Sequence, residues 1–149
     1  MRRYLLILTV CIILPIPSSR VLAGPQNVTV RAKLIAKGFQ SPQFTLPDGF
    51  EIELVAGPPL VHHPIMAGFD DRGRLFVSET AGLNLRNTEL DQKLPNYITL
   101  LEDFDGDGLF DKSTRFADKM TFPQGGLWHQ GALYVCSPPG VWRLEDTDG

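Results

Sequence analysis

Leu101-Glu102-Asp103-Phe104-Asp105-Gly106 returns as Leu144-Glu145-Asp146-Thr147-Asp148-Gly149, the same acidic turn after 43 residues. A repeat of about 40 to 50 residues built from short apolar runs marks a propeller or solenoid, whose units cannot bury their apolar faces alone. A second alignment tests the first. Phe69-Asp70-Asp71-Arg72-Gly73-Arg74-Leu75-Phe76-Val77-Ser78 matches Leu127-Trp128-His129-Gln130-Gly131-Ala132-Leu133-Tyr134-Val135-Cys136 at an offset of 58. The two offsets agree if the earlier unit carries a 15-residue insertion between Val77 and Ile98, where Gly82, Asn84, Asn87, Pro95 and Asn96 fall. Insertions of this kind lie in loops on one face of a repeat array.

Working outward, period-2 alternation predicts a strand over residues 50–55, with Phe50, Ile52 and Leu54 inward and Glu51 and Glu53 wet. Further strands are predicted at residues 65–69, 75–78, 98–102, 112–116, 126–129, 133–136 and 141–145, separated by Gly, Pro or Asp. The one candidate for a helical turn is residues 89–93, inside the insertion. The expected class is all-β, a partial β-propeller of about one and a half blades from a six-bladed ring. Strands at 65–69, 75–78, 98–102 and 112–116 would form one blade, residues 126–145 three strands of the next, and residues 50–55 an outer strand closing the ring. On this reading the chain is the front end of something larger.

The N-terminus predicts export. Met1-Arg2-Arg3 is a basic start, residues 4–14 are an eleven-residue apolar run, and Val21-Leu22-Ala23 precedes Gly24 as a small-residue cleavage site. The apolar run is shorter than the ~20 residues a spanning helix needs, so no transmembrane anchor is expected. Residues 1–23 thus read as a signal peptide, 24–48 as a leader arm and 49–149 as the propeller part, in a periplasmic or extracellular protein. Loss of Arg2, Arg3 and Arg20 leaves 11 basic residues against 17 acidic, a balance that disfavours a nucleic acid partner. Cys136 would be the single thiol left, which excludes an internal disulfide in the exported chain and any cysteine metal or haem motif there.

The strongest chemical signal is Asp103-Phe104-Asp105-Gly106-Asp107-Gly108-Leu109-Phe110-Asp111. Carboxylates at positions 1, 3, 5 and 9, a glycine at 6 and the Leu109 carbonyl at 7 reproduce an oxygen cage for Ca²⁺. Position 12 is Thr114 where an EF-hand has Glu, so the loop reads as a calcium turn in a β-hairpin, with Glu102 or Asp118 as supplementary ligands. The bland alternative is a solvated acidic turn. His62 and His63 are adjacent and cannot point the same way in an extended segment, which suits a structural or surface role. His129, before the Gln130-Gly131 turn, is the one candidate catalytic base, and no partner for it can be read from the sequence.

These residues carry a resemblance. Val55-Ala56-Gly57-Pro58-Pro59-Leu60-Val61-His62-His63-Pro64, the 69–77 segment, Thr121-Phe122-Pro123-Gln124-Gly125 and Trp142-Arg143-Leu144-Glu145-Asp146 resemble the opening of the membrane-bound dehydrogenase domain of planctomycete-type bacteria. That domain is similar to the soluble quinoprotein sugar dehydrogenases, six-bladed propellers using calcium and pyrroloquinoline quinone. The resemblance implies that the complete protein oxidises a sugar or alcohol, with a cytochrome c as electron acceptor, and that this part alone is inactive. It transfers no catalytic residue. His129-Gln130-Gly131 departs from the family's His pattern, and quinone contacts come from several blades. A non-catalytic propeller binding glycans or proteins, and a calcium-dependent lactonase-like hydrolase, remain alternatives at this point.

Overall fold

The structure is a computed structural model. It describes residues 4–7, 10–15, 26–27 and 29–30 by their backbone, and residue 40 and residues 43–147 in full. The Val21-Leu22-Ala23 cleavage site and Asp148-Gly149 of the second acidic turn lie outside the described residues.

Thirteen strands and one helix are described: β1 Tyr4–Ile7, β2 Val10–Pro15, β3 Gln26–Asn27, β4 Thr29–Val30, β5 Gln43–Phe44, β6 Phe50–Leu54, β7 Pro64–Phe69, β8 Leu75–Glu79, α1 Asn87–Lys93, β9 Asn96–Glu102, β10 Lys112–Met120, β11 Gln124–His129, β12 Ala132–Ser137 and β13 Gly140–Glu145. The chain is all-β in character. Strands β7 to β10 form one four-stranded antiparallel meander, and β11 to β13 form a three-stranded one in the same consecutive order. Each predicted strand is found, and the helical turn is α1.

The hairpins follow from turn chemistry. His129 pairs with Ala132, leaving Gln130 and Gly131 as a two-residue loop with φ of 49° and 78°. Positive φ at both positions is the type I′ turn, whose twist matches that of the flanking strands. Between β7 and β8, Asp70 closes the loop by accepting the Arg72 and Arg74 N–H groups at 2.9 and 2.8 Å. Gly73 takes φ 82° there. The two glycines aligned by the repeat therefore share one left-handed conformation.

Strand β8 is buried along its whole length because both of its faces are covered. Leu75 and Val77 pack with Val55, Ala56, Leu60, Val61, Leu101, Leu109 and Phe110. Phe76, on the opposite face, packs with Ile98, Leu100, Met120, Leu133 and Val135. The second cluster joins the two sheets, since Leu133 and Val135 lie on β12, and burial of each such side chain stabilises by roughly 1.5–3 kcal/mol. Trp128 of β11 stacks on Phe76 at 5.2 Å between ring centroids.

The sheets come closest at β7 and β11. A Cβ on Gly68 would stand 2.7 Å from the Gly126 carbonyl oxygen, so only glycine permits this approach. On the other side the sheets part around a cavity of about 680 Å³, with α1 and the end of β10 on one wall and β13 on the other.

Strand β6 shows the expected alternation, with Ile52 and Leu54 buried and Glu51 exposed. Its neighbours are β2, antiparallel, and β4, parallel. The apolar run read as an export signal thus contributes backbone pairing to β6 in the full chain, and the leader arm contributes β3, β4 and β5.

Candidate functional site: the acidic turn between β9 and β10

The turn from Glu102 to Lys112 is held at its base by the Asp111 N–H donating to the Glu102 carbonyl at 2.8 Å. Leu109 and Phe110 are buried in the first core cluster, and the Phe110 N–H donates to the Val55 carbonyl at 3.3 Å. The loop is therefore anchored at one side and open at its tip.

Its tip is shaped by its own carboxylates. Asp103 accepts the Gly106 N–H on Oδ1 at 2.8 Å and the Gly108 N–H on Oδ2 at 2.9 Å. Asp111 Oδ2 accepts the Phe104 N–H at 2.9 Å, and Asp105 Oδ1 accepts the Asp107 N–H at 3.3 Å. Gly106 and Gly108 adopt φ of 74° and 88°, the left-handed geometry that lets the chain curl inward. One oxygen each from Asp103, Asp105 and Asp111 lies within 4.8 Å of the others. Three hard oxygen donors at that spacing could hold a metal ion.

The sequence expectation named five residues, and three of them converge. Asp107 is not in that group; its Oδ1 accepts the Leu109 N–H at 2.9 Å. Leu109 belongs to the turn, with its side chain in the core. Glu102 pairs with Lys112 at 3.2 Å. Asp118 lies near the far end of β10, beside the inter-sheet cavity, well away from the turn. His129 ends β11 exposed, and among the described residues no side chain hydrogen-bonds its ring.

Two arrangements were not anticipated. The first is Glu79, 1% exposed at the end of β8. Its Oε2 accepts the backbone N–H groups of His62 at 2.7 Å and His63 at 3.1 Å, and the Thr99 hydroxyl donates to Oε1. Its carboxylate therefore organises the approach to β7 through the backbone of His62 and His63, both of which are exposed. Burial, with the Glu79 charge second, raises the pKa of the neighbouring Tyr97 phenol. An acid closing the apolar run Leu-Phe-Val-Ser-Glu was the available signal.

The second is Arg74. Its guanidinium donates to Asp70 at 2.7 Å and to Asp146 at 2.8 Å, spanning from the first sheet to the start of the second acidic turn. It also lies 5.8 Å from the Phe76 ring centroid and 5.9 Å from that of Trp128. Burial acts against its charge, and the hydrogen bonds to Asp70 and Asp146 outweigh burial, so its pKa is raised. Asp146 aligns with Asp103, and it takes an arginine partner where Asp103 takes the Gly106 and Gly108 N–H groups.

The fold and turn define an all-β chain of repeated antiparallel sheets with a cluster of carboxylates on one connection. Residues 40–149 match the model of a family described as a domain of unknown function, DUF7133, and the chain belongs to that family. No curated protein and no solved structure matches it. Among the described residues no helix is long and apolar enough to cross a membrane.

Proposed function

We propose that this chain is the N-terminal part of an exported, calcium-bearing β-propeller of quinoprotein-like dehydrogenase type, whose complete form oxidises a sugar or alcohol. The observation that carries the calcium reading is the convergence of Asp103, Asp105 and Asp111 within 4.8 Å on a turn anchored to the core. Support for the propeller comes from repetition. Phe76, Ile98 and Leu100 of the first sheet are covered by the second, while the aligned Tyr134, Val141 and Arg143 of the second sheet face outward. A third sheet of the same kind would cover them, and the wedge between Gly68–Gly126 contact and outer cavity is the shape that brings such sheets around an axis.

In this reading Asp103, Asp105 and Asp111 hold calcium, and the ion neutralises the turn and fixes the β9–β10 connection. The hydrogen bonds that already orient Asp103 prepare the cage for it. Pyrroloquinoline quinone, when bound, would accept the hydride from the substrate. Among the described residues none is assigned a contact with it. His129, exposed and among the described residues without a carboxylate bonded to its ring, is not given the role of base. The dehydrogenase reading rests on the family resemblance.

The test uses the complete gene product with calcium and the quinone. Reduction of an artificial electron acceptor with at least one sugar or alcohol of a panel is expected. No reduction with any of them overturns the enzyme reading, and ester cleavage without the quinone would favour a lactonase-like hydrolase.

A further inference from the structure

A pocket of about 220 Å³ opens on the first sheet, with walls from β8, β9, β10 and residues between 59 and 62; neither β6 nor β13 takes part in it. Buried Glu79 and Thr99 line it, 1% and 5% exposed. The Glu79 oxygens are already engaged there by the His62 and His63 N–H groups and the Thr99 hydroxyl, which fixes the main chain of His62 beside the opening. Arg115 stands over the Tyr97 ring, with its guanidinium carbon 3.2 Å from the ring centroid. Lys112 on the same strand is paired with Glu102, and Arg74 and Arg143 hold carboxylates of their own. Among the described residues no carboxylate bonds Arg115. An aromatic face holds a guanidinium in place without consuming its N–H groups, so a planar fork of donors is left to offer. The Tyr97 hydroxyl likewise has no hydrogen-bond partner among the described residues. Burial, with the Glu79 charge second, raises its pKa and keeps it a donor at neutral pH.

We propose that this pocket binds the carboxylate group of a small organic acid, with Arg115 as the bidentate anchor and the Tyr97 and Ser113 hydroxyls as further donors. Three features choose that chemistry. A carboxylate is planar and matches the guanidinium fork with two parallel hydrogen bonds. Arg115 faces one buried acid, Glu79, across the pocket, so there is no surplus positive charge to hold a doubly charged phosphate, and a singly charged group is favoured. Pro59 and Leu60 add an apolar side against which the carbon skeleton of the acid can lie. Glu79 acts in this site as a positioning residue, since it orients the His62 backbone and the Thr99 hydroxyl and leaves the ligand to Arg115.

The test is calorimetric titration of the full chain, in calcium-free buffer at constant ionic strength, with sodium glucuronate as the carboxylate probe. Glucose, the same ring without the carboxylate, and inorganic phosphate are the comparisons. Saturable binding of glucuronate is expected, with phosphate weaker and glucose without measurable heat. Arg115→Ala should weaken glucuronate binding at least about tenfold, as loss of charge-assisted hydrogen bonds does. Arg115→Lys, which keeps the charge and loses the fork, should weaken it as well. No saturable heat with glucuronate, glucose or phosphate binding as tightly as glucuronate, or an Arg115→Ala variant that matches the parent would each overturn the proposal. The ligand comparisons on the parent chain decide the matter even if a variant fails to fold. None of these readouts needs quinone, calcium or an electron acceptor, so failure of the dehydrogenase reading and failure of this one are separately visible.

Discussion

Glu79 illustrates how one residue can organise a connection. It is a buried carboxylate that satisfies two backbone N–H groups and one hydroxyl, and leaving such donors without acceptors costs roughly 1–3 kcal/mol each. Glu79→Ala is expected to lower the unfolding free energy by about 3 kcal/mol in a urea titration, with Glu79→Gln losing less because the amide oxygen still accepts. An unchanged midpoint for Glu79→Ala would remove its organising role. Gly68 makes the opposite kind of demand, for absence of a side chain. Gly68→Ala forces a Cβ to 2.7 Å from a carbonyl oxygen held in a strand, and a loss of about 1–3 kcal/mol is expected in the same titration. The sequence marks Glu79 as an acid closing an apolar run but gives no hint of its partners, and it gives no sign of the demand on Gly68. The donors to Glu79 lie 16, 17 and 20 positions away, and the partner of Gly68 is on another sheet. Arg74 and Asp146, 72 residues apart, were hidden for the same reason.

Elements were far more legible, because their signals are local. Apolar alternation located β6, and Gly73 and Gly131 located two hairpins, since a left-handed backbone position announces itself by residue type. Strand ends were less so. β10 runs to Met120, beyond residue 116, through register shifts between Arg115 and Ala117 and between Ala117 and Met120 that no periodicity encodes. Helix α1 begins earlier than residue 89, at Asn87, where the Glu89 carboxylate accepts the Arg86 N–H at 3.1 Å and caps the first turn. The β11–β12 hairpin gives a sharp test at this scale. Gln130 sits at φ 49° in a type I′ turn, where asparagine is strongly preferred. Gln130→Asn is expected to raise stability by roughly 0.5–1 kcal/mol and Gly131→Ala to lower it by a similar amount or more, both read from thermal unfolding. A neutral or destabilising Gln130→Asn would contradict the turn assignment.

For the whole molecule, the β7–β10 and β11–β13 sheets repeat one strand order and stack through one shared cluster. The repeat itself was visible in the sequence, because the acidic turn and the Gly–Leu–aromatic–Val run recur. The face that each sheet presents to its neighbour was visible only through burial. Export bears on the same architecture. Cleavage after Ala23 would remove β1 and β2 and leave β6 with β4 alone, so the secreted product is expected to begin at Gly24 by mass spectrometry. A product that retains Met1 would overturn the export reading. The acidic turn ties these scales together: its converging carboxylates are single residues, its frame is the β9–β10 connection, and its anchor is the core of the first sheet. Calorimetric titration of Ca²⁺ into the exported chain is the most direct test of that account. Saturable binding of one ion, with an affinity tighter than about 1 mM and lost in Asp105→Asn, is the expected result. Absence of saturable heat, or an Asp105→Asn variant that binds as well as the parent, would contradict it.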